Sequence, residues 1–169
     1  QSSFALYRDL AVNLKEFPVL SWSWKVTKLP QGGDVRGAAT DDQAAQVYVI
    51  FPRWPFPQTS SDVLGYVWDS RAPAGLRLQS PRAGNVRLIV LQSGQEKLGR
   101  WLKESRNVAE DYRALFGKEP PLIGRVAVMV DSNDTHSEAE AWFHDLVFLS
   151  PARGHSRSSR LTAPALRQS

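Results

Sequence analysis

Apolar and polar residues alternate most regularly between Leu20 and Val26. Leu20, Trp22, Trp24 and Val26 fall on one side of an extended chain, and small or charged residues fall on the other. This period of two predicts a half-buried strand. Because aromatic residues in register with Leu and Val are typical of a core, we expect Trp22 and Trp24 to be buried structural residues.

A second apolar region runs from Val126 to Leu149 and contains two predicted strands, Val126–Val130 and Trp142–Leu149, joined by an acidic loop. Both alternating faces of these strands are apolar, which indicates that each strand is covered on both sides, as in the middle of a sandwich. Asp145 falls inside the second strand. We therefore expect Asp145 to be buried and neutralised by Arg106 or Arg125 in a structural ion pair.

Shorter apolar segments separated by turn residues predict further strands at Phe4–Leu14, Val47–Phe51, Val63–Trp68 and Val86–Leu91. Residues 27–46 contain three glycines and show no periodicity, so they predict a long loop. Strands that recur at turn-separated intervals are typical of sandwiches rather than of βαβ units. The sequence therefore predicts a mainly β protein, an antiparallel two-layer β-sandwich of jelly-roll type.

One segment has helical periodicity, Val108–Phe116. Asn107 stands where an N-cap is expected, Glu110 follows at the capping-box spacing, and Gly117 stands where a helix ends. We expect this helix to pack on one face or end of the sandwich. Arg106 and Asp111 are predicted to form a structural pair that holds the helix in place.

Length and charge indicate one domain with a basic tail. The chain has 169 residues and a pI of about 9.6, with 21 basic and 17 acidic residues. Four arginines and no acids follow Pro151, so the rest of the chain is formally neutral with 17 of each. We divide the chain into a sandwich domain, residues 1–150, and an Arg- and Ser-rich tail, residues 151–169. A neutral domain has no basic face for nucleic acid.

Two features are candidates for binding. Trp54 and Phe56 lie in a proline-rich segment that cannot join a sheet, so they are placed on a stiff loop. Such a loop either presents its aromatic residues to a partner or folds over the edge of the core. In the tail, Arg153, Arg157 and Arg160 are candidates for contacts with protein or with an anionic membrane surface; the other interpretation is a solvated tail, because the segment is too polar to fold alone.

The acidic loop is a candidate for calcium. Asp131, Asn133 and Asp134 supply oxygen ligands within a few residues, although the spacing is not that of an EF-hand. The other interpretation is an Asx-rich turn whose side chains cap their own backbone. We predict no other cofactor.

No catalytic signature is present, and the chain has no cysteine and three scattered histidines. The remote enzymatic alternative is a glycoside hydrolase, which needs only two carboxylates. Its candidates are Asp41, Asp42, Asp131, Asp134 and Asp145. No apolar run approaches the length of a membrane span.

A family resemblance rests on residues spread over the chain. They are Trp22-x-Trp24-Lys25-Val26, Asp41-Asp42, Val47-Tyr48-Val49, Tyr66-Val67-Trp68, Gly99-x-Trp101, Arg106-Asn107-Val108-x-x-Asp111-Tyr112-Arg113-x-x-Phe116-Gly117, Pro120-Pro121 and Ala141-Trp142-Phe143-x-Asp145. Over about residues 2–149 this pattern resembles the bacterial family called domain of unknown function 3047. The strand order is also similar to that of jelly-roll carbohydrate-binding modules.

The resemblance implies an exported single-domain protein and no established activity. Family members have a further stretch ahead of the point that matches Ser2, which implies that this chain lacks the first strands of the family or that they precede Gln1. The family usually has a Gly where this chain has His144.

From these features we expect a non-catalytic interaction protein, periplasmic or extracellular, that acts as an accessory subunit of a larger, membrane-associated assembly. Its partners would be other protein subunits that bind the loop aromatics and the tail. The alternative function is a carbohydrate-binding module, which requires aromatic residues on an open face or loop edge.

Overall fold

The structure, a computed structural model, describes residues 3–56, 60–132 and 137–151, together with the backbone of residues 158–161. In chain order the elements are β1 (Phe4–Val12), β2 (Val19–Lys28), β3 (Ala45–Pro52), β4 (Ser61–Asp69), β5 (Arg77–Gln79), β6 (Val86–Ser93), β7 (Leu102–Asn107), α1 (Val108–Phe116), β8 (Ile123–Val130), β9 (Glu140–Leu149) and β10 (Ser158–Leu161).

The strands form two sheets that pack on each other. The six-stranded sheet has the order β1-β8-β3-β4-β6-β5, and the four-stranded sheet has the order β10-β9-β2-β7. The predicted mainly β sandwich with one helix is therefore confirmed, and it does not close into a barrel. The jelly-roll topology stays a prediction.

One pair of strands departs from the antiparallel prediction. β4 and β6 are parallel neighbours, because the chain leaves the end of β4, crosses over and re-enters the sheet in the same direction. β5 lies within this crossover and pairs antiparallel with the outer side of β6. All other pairings in the sheets are antiparallel.

The main core lies between the two sheets. Trp22 and Trp24 of β2 are fully buried, and their rings meet edge to face with centroids 5.5 Å apart. Trp24 also approaches Trp68 of β4 at 6.1 Å, so the two sheets meet through aromatic rings. Rings in these arrangements bury a large apolar area and fix the spacing of the layers.

The two strands of the Val126–Leu149 region do not pair with each other. β8 lies in the six-stranded sheet between β1 and β3, and β9 lies in the four-stranded sheet between β10 and β2. Along β8 fully buried residues alternate with half-buried ones, and in β9 His144 and Asp145 are exposed. The expectation that both faces of each strand are covered is therefore wrong for β9, whose outer face meets solvent.

The outer face of the six-stranded sheet carries a second, smaller core. Val35 of the loop between β2 and β3 packs on Val67, Ala72, Leu88 and Val90. The loop is held by the buried carboxylate of Asp69, which accepts backbone N–H bonds from Val35 at 2.8 Å and from Ala72 at 2.6 Å. The predicted long loop therefore covers this sheet.

Helix α1 begins and ends as predicted. The Asn107 side chain accepts a hydrogen bond from the Glu110 N–H at 3.1 Å, and Gly117 adopts the left-handed conformation that ends a helix, with φ 67°. Asp111 and Tyr112 of the helix are buried against the sandwich.

Helix α1 and strand β4 exchange two Tyr–Asp hydrogen bonds. The Tyr66 hydroxyl of β4 donates to Asp111 of the helix at 2.8 Å, and the Tyr112 hydroxyl of the helix donates to Asp62 of β4 at 2.6 Å. Because each element supplies one donor and one acceptor, these two bonds fix both the position and the direction of the helix on the sheet.

Candidate functional site

A row of three side chains crosses the solvent-facing side of the four-stranded sheet. Lys25 of β2 lies opposite Trp142 of β9, and its Nζ is 4.5 Å from the centroid of the Trp142 ring. The same Nζ is 5.3 Å from the centroid of Trp101, which immediately precedes β7 and is 51% exposed. We call Lys25, Trp101, Trp142, His144 and Asp145 the outer patch.

A β-bulge in β9 places two consecutive side chains on this patch. Ser21 pairs with Val147 whereas Ser23 pairs with His144, so β9 has one more residue than β2 opposite Trp22. Phe143 and Leu146 on either side of the bulge both point into the core. The alternation of inward-facing and outward-facing side chains therefore shifts by one residue at the bulge, and His144 and Asp145 both face solvent.

The bulge contradicts the prediction that Asp145 is a buried ion-pair residue. Strict alternation would place Asp145 on the same face as the buried Phe143, but the extra residue turns it outward. Its side chain is mostly exposed and lies 3.1 Å from Nδ1 of His144. The two expected partners are engaged elsewhere, because Arg106 binds Asp111 and Arg125 binds Asp9.

Asp145 also has a positive φ of 54°, unlike any other described residue that is not a glycine. Left-handed backbone is unfavourable for most L-residues and is tolerated best by Asn, Asp and Gly. Bulges with this geometry redirect side chains and are frequent next to functional sites.

The outer patch combines ring faces with polar groups. The ring of His144 lies 5.9 Å from that of Trp101, and Lys103 of β7 faces solvent beside Ser23, in the row that also contains His144. Such a surface can stack on a flat, partly apolar ligand and donate or accept hydrogen bonds at its rim.

A cleft of about 300 Å³ opens at one edge of the sandwich, between β7 and the β5–β6 edge of the other sheet. Gly75, Arg77 and residues 89–91 line it from the six-stranded sheet, and Glu104, Ser105 and Arg106 line it from β7. Glu104 accepts hydrogen bonds from Trp24 Nε1 at 3.1 Å and from Gln92 Nε2 at 2.7 Å. The wall of the cleft is therefore tied to the aromatic core. We call this the edge cleft.

The predicted Arg106–Asp111 pair lies behind the edge cleft. Nη2 of Arg106 is 2.6 Å from Oδ1 of Asp111, and Nε is 3.0 Å from Oδ2. Tyr66 donates to the same carboxylate. Burial, followed by the charge of Asp111, raises the pKa of Tyr66 well above its usual value, so the hydroxyl stays a donor. The Arg106–Asp111 pair therefore joins β7 to the helix, which is the structural role predicted for it.

A second buried carboxylate, Asp62, lies at the other Tyr–Asp contact. Lys118 Nζ is 2.7 Å from Oδ2 of Asp62, and Arg53 Nε is 3.5 Å from Oδ1. Burial by itself would raise the pKa of Asp62, but the hydrogen bonds from Lys118 and Tyr112 lower it below its usual value. Asp62 is therefore a charged structural group rather than an acid with a proton to donate.

Trp54 and Phe56 lie on the loop that follows β3 and are 83% and 67% exposed. Leu122, which immediately precedes β8, is also exposed, and β8 begins beside the end of β3. Of the tail arginines, Arg153 and Arg157 lie outside the described residues. Arg160 lies in β10, whose backbone pairs with Val147 of β9. The structure does not bring the tail arginines and the loop aromatics into one described site.

The predicted calcium ligands are only partly described. Asp131 is buried, and its N–H donates to the carbonyl of Gln43 at 3.2 Å, whereas Asn133 and Asp134 lie outside the described residues. Within the described ranges, no group of three or more His, Asp or Glu side chains is placed to hold a metal ion. Asp42, a remote candidate for hydrolysis, is fully buried at the entrance to β3, whereas Asp145 is exposed on β9 of the other sheet.

Comparison with known proteins shows the family of the chain. Residues 1–147 match the family described as "Protein of unknown function (DUF3047)". The chain belongs to this family. A search of the curated proteins found no match to the chain. In the described part of this DUF3047 protein, no helix is long and apolar enough to cross a membrane.

Sequence reasoning missed most of the outer patch and Arg77 of the edge cleft. Trp101 lies outside any periodic segment and β7 is too charged to be predicted as a strand, so nothing placed Trp101 beside Lys25. One signal was available, since Lys25 alternates with the buried Trp24 and Trp142 alternates with Phe143. Both therefore belong to an outer face.

Proposed function

We propose that this protein is a non-catalytic binding protein and that its ligand is a saccharide that stacks on the outer patch. The observation that carries the proposal is the row formed by Trp101, Lys25 and Trp142 on an open sheet face. Among the functions expected from the sequence, the carbohydrate-binding alternative is the one that requires aromatic residues in this position.

The spacing of the row suits a chain of sugar rings. Lys25 Nζ lies 5.3 Å from one indole centroid and 4.5 Å from the other, so the two rings lie within about 10 Å of each other, as expected for residues two strands apart. A saccharide of more than one sugar ring can therefore contact both indoles.

Rigidity and polarity also support the proposal. Lys25 and Trp142 lie on paired strands, where side chains are held more firmly than on loops, and Trp101 immediately precedes β7, so little freedom is lost when a ligand binds. His144, Asp145, Ser23 and Lys103 lie around the row and can bond sugar hydroxyls. The bulge adds one of these groups, because without it Asp145 would point into the core.

Native affinity electrophoresis tests the proposal. Soluble polysaccharides, such as a xylan, a β-glucan, a mannan and a pectin, are cast into separate gels, and a saccharide-binding protein is retarded in at least one of them. We expect Trp101→Ala to abolish the retardation, because it removes one exposed ring. Trp54→Ala is the matched control, since Trp54 is also exposed but lies on the loop that follows β3 of the other sheet. Migration unchanged in every gel would refute saccharide binding.

The second candidate function is that of an exported accessory subunit of a larger assembly. It is favoured by the exposure of Trp54 and Phe56 on one loop, with Leu122 at the same end of the sandwich. Aromatic residues that protrude in this way are typical of the centre of protein interfaces. The arginines of the tail would extend the contact to protein or to an anionic membrane surface.

Affinity purification from the native source distinguishes the second candidate. We expect a stoichiometric partner with the full chain, and its loss when Trp54 and Phe56 are both changed to Ala, whereas Trp101→Ala retains it. Cell fractionation would test export, with the protein expected outside the cytoplasm. A protein that is recovered alone, from the cytoplasm, would contradict this candidate.

A further inference from the structure

The extra residue in the bulge of β9 is not needed for the packing of the strand. Buried and less buried side chains alternate along β9 up to Phe143, and they alternate again from Leu146 onward. If Asp145 were removed, His144 would be the one outward residue between two inward residues. Leu146 would then lie opposite Trp22 of β2, which also faces the core. Without the bulge, the strand would show the uninterrupted alternation of a half-buried strand.

The side chain at the bulge is also not the one that the backbone favours. Asp145 has a φ of 54°, a conformation in which Gly is the least strained residue. The carboxylate adds little stability in return, because it is 67% exposed and its one ion pair in the described ranges is with His144, which is 62% exposed. Neither the inserted residue nor its side chain is therefore explained by the fold.

Asp145 and His144 form a polar pair beside one of the exposed indoles. Oδ2 of Asp145 is 3.1 Å from Nδ1 of His144, and the His144 ring lies 5.9 Å from the ring of Trp101. When Nδ1 of a neutral imidazole donates to the carboxylate, Nε2 is an acceptor, and so is the second carboxylate oxygen. Two neighbouring acceptors match two neighbouring donors, and adjacent hydroxyl groups of a sugar ring supply such donors.

We propose that Asp145 is the specificity-determining residue of the outer patch, which binds sugars with two free neighbouring hydroxyl groups. One hydroxyl group donates to the carboxylate of Asp145 and the other to Nε2 of His144, while the face of the sugar ring lies on Trp101. A sugar with methylated or acetylated hydroxyl groups keeps the apolar ring face but loses these donors, so it binds weakly. This inference rests on the proposed saccharide binding and adds the class of sugar.

Titration calorimetry of the full chain with four hexasaccharides tests the class of sugar. The probes are xylohexaose, cellohexaose, mannohexaose and hexagalacturonate, each used unmodified and after O-methylation. We expect at least one unmodified hexasaccharide to bind the wild-type protein. Its O-methylated form should bind at least about tenfold more weakly, because a hydrogen bond to a charged group is lost.

Two variants separate the carboxylate from the bulge that carries it. Asp145→Gly keeps the left-handed backbone and removes the carboxylate, whereas deletion of Asp145 removes the bulge as well. Both should bind the unmodified hexasaccharide at least about tenfold more weakly. Neither should lower the melting temperature, because no core contact is lost. Asp9→Asn is the matched control, since the side chain of Asp9 is 68% exposed, close to the 67% of Asp145, and lies on β1 of the other sheet.

The outcomes distinguish this inference from the proposed function. If no hexasaccharide binds the wild-type protein, saccharide binding and this inference both fail. If one binds with equal affinity to wild type and Asp145→Gly, or equally well after O-methylation, only the inference fails. An equal loss of affinity in Asp9→Asn would indicate a general charge effect and would overturn it too. A deletion variant that melts at a lower temperature would show that the bulge serves the fold.

Discussion

The paired Tyr–Asp bonds between β4 and α1 predict that loss of one hydroxyl group destabilises the whole domain. Tyr66 is fully buried, and its hydroxyl donates to Asp111 at 2.8 Å. In Tyr66→Phe the ring and its packing on Trp22, 5.3 Å away between centroids, are retained. The variant therefore removes one hydrogen bond and little else.

The expected loss follows from the charge of the acceptor. A hydrogen bond to a charged group contributes about 1.5–3 kcal/mol, and the acceptor here keeps its two bonds from Arg106. We therefore expect Tyr66→Phe to lower the free energy of unfolding by about 1.5–3 kcal/mol. Tyr112→Phe removes the matching bond to Asp62, which keeps Lys118, and should have an effect of similar size. The double variant should lose more than either single variant, and its departure from their sum measures the coupling between two bonds that hold the same helix.

Urea unfolding followed by tryptophan fluorescence measures these losses. The slope of free energy against urea should stay unchanged while the midpoint falls, because the surface exposed on unfolding is the same. Tyr7→Phe is the control, since Tyr7 lies exposed on β1 and should leave the midpoint in place. A loss below about 0.5 kcal/mol for Tyr66→Phe, or an equal loss for Tyr7→Phe, would refute the reasoning.

Two further predictions concern individual aspartates. The pKa of Asp62 is lower in the folded protein than the usual 3.8, so the stability that its charge supplies is present above pH 3.8 and is lost as the pH falls through the folded pKa. The free energy of unfolding should therefore fall less steeply below about pH 4 in Asp62→Asn than in wild type. Asp145 is exposed and has left-handed backbone, so Asp145→Asn should leave the melting temperature unchanged. Asp145→Val should lower the free energy of unfolding by about 1–2 kcal/mol, because a β-branched residue is strained there. A large loss of stability in Asp145→Asn would restore the buried-pair hypothesis.

The central strands and the helix were predictable because their local signals agree with their surroundings. β2 is buried on one side and shows the alternation that a half-buried strand requires. The helix is bounded by Asn107 and Gly117, whose capping roles depend on residues only a few positions away. In these elements the structure that the local sequence favours is also the structure that the packing requires.

Three of the four sheet edges were not predicted, namely β5, β7 and β10. Edge strands are short or rich in charged residues, which protects their unpaired backbone from association with other chains. β7 reads Leu102-Lys103-Glu104-Ser105-Arg106-Asn107, and its inward positions hold Glu104 and Arg106 at the edge cleft. A strand with polar residues on both faces gives no hydrophobic period to detect.

The candidate sites were missed for a related reason. One inserted residue in β9 exchanges the buried and exposed positions of the rest of the strand, and the local composition does not indicate a bulge. The prediction for Asp145 failed at that residue. The row of Trp101, Lys25 and Trp142 depends on pairing among three segments distant in the sequence, and the parallel β4–β6 pair depends on the path of a crossover. Neither can be deduced from spacing along the chain.

The most direct measurement of saccharide binding follows the six tryptophan indole signals while an oligosaccharide of the retarding polysaccharide is added to the full chain. The proposed function predicts that the Trp101 and Trp142 signals move together with one dissociation constant, while those of the buried Trp22, Trp24 and Trp68 stay in place. Movement of the Trp54 signal instead, or of none of the six, would contradict binding at the outer patch.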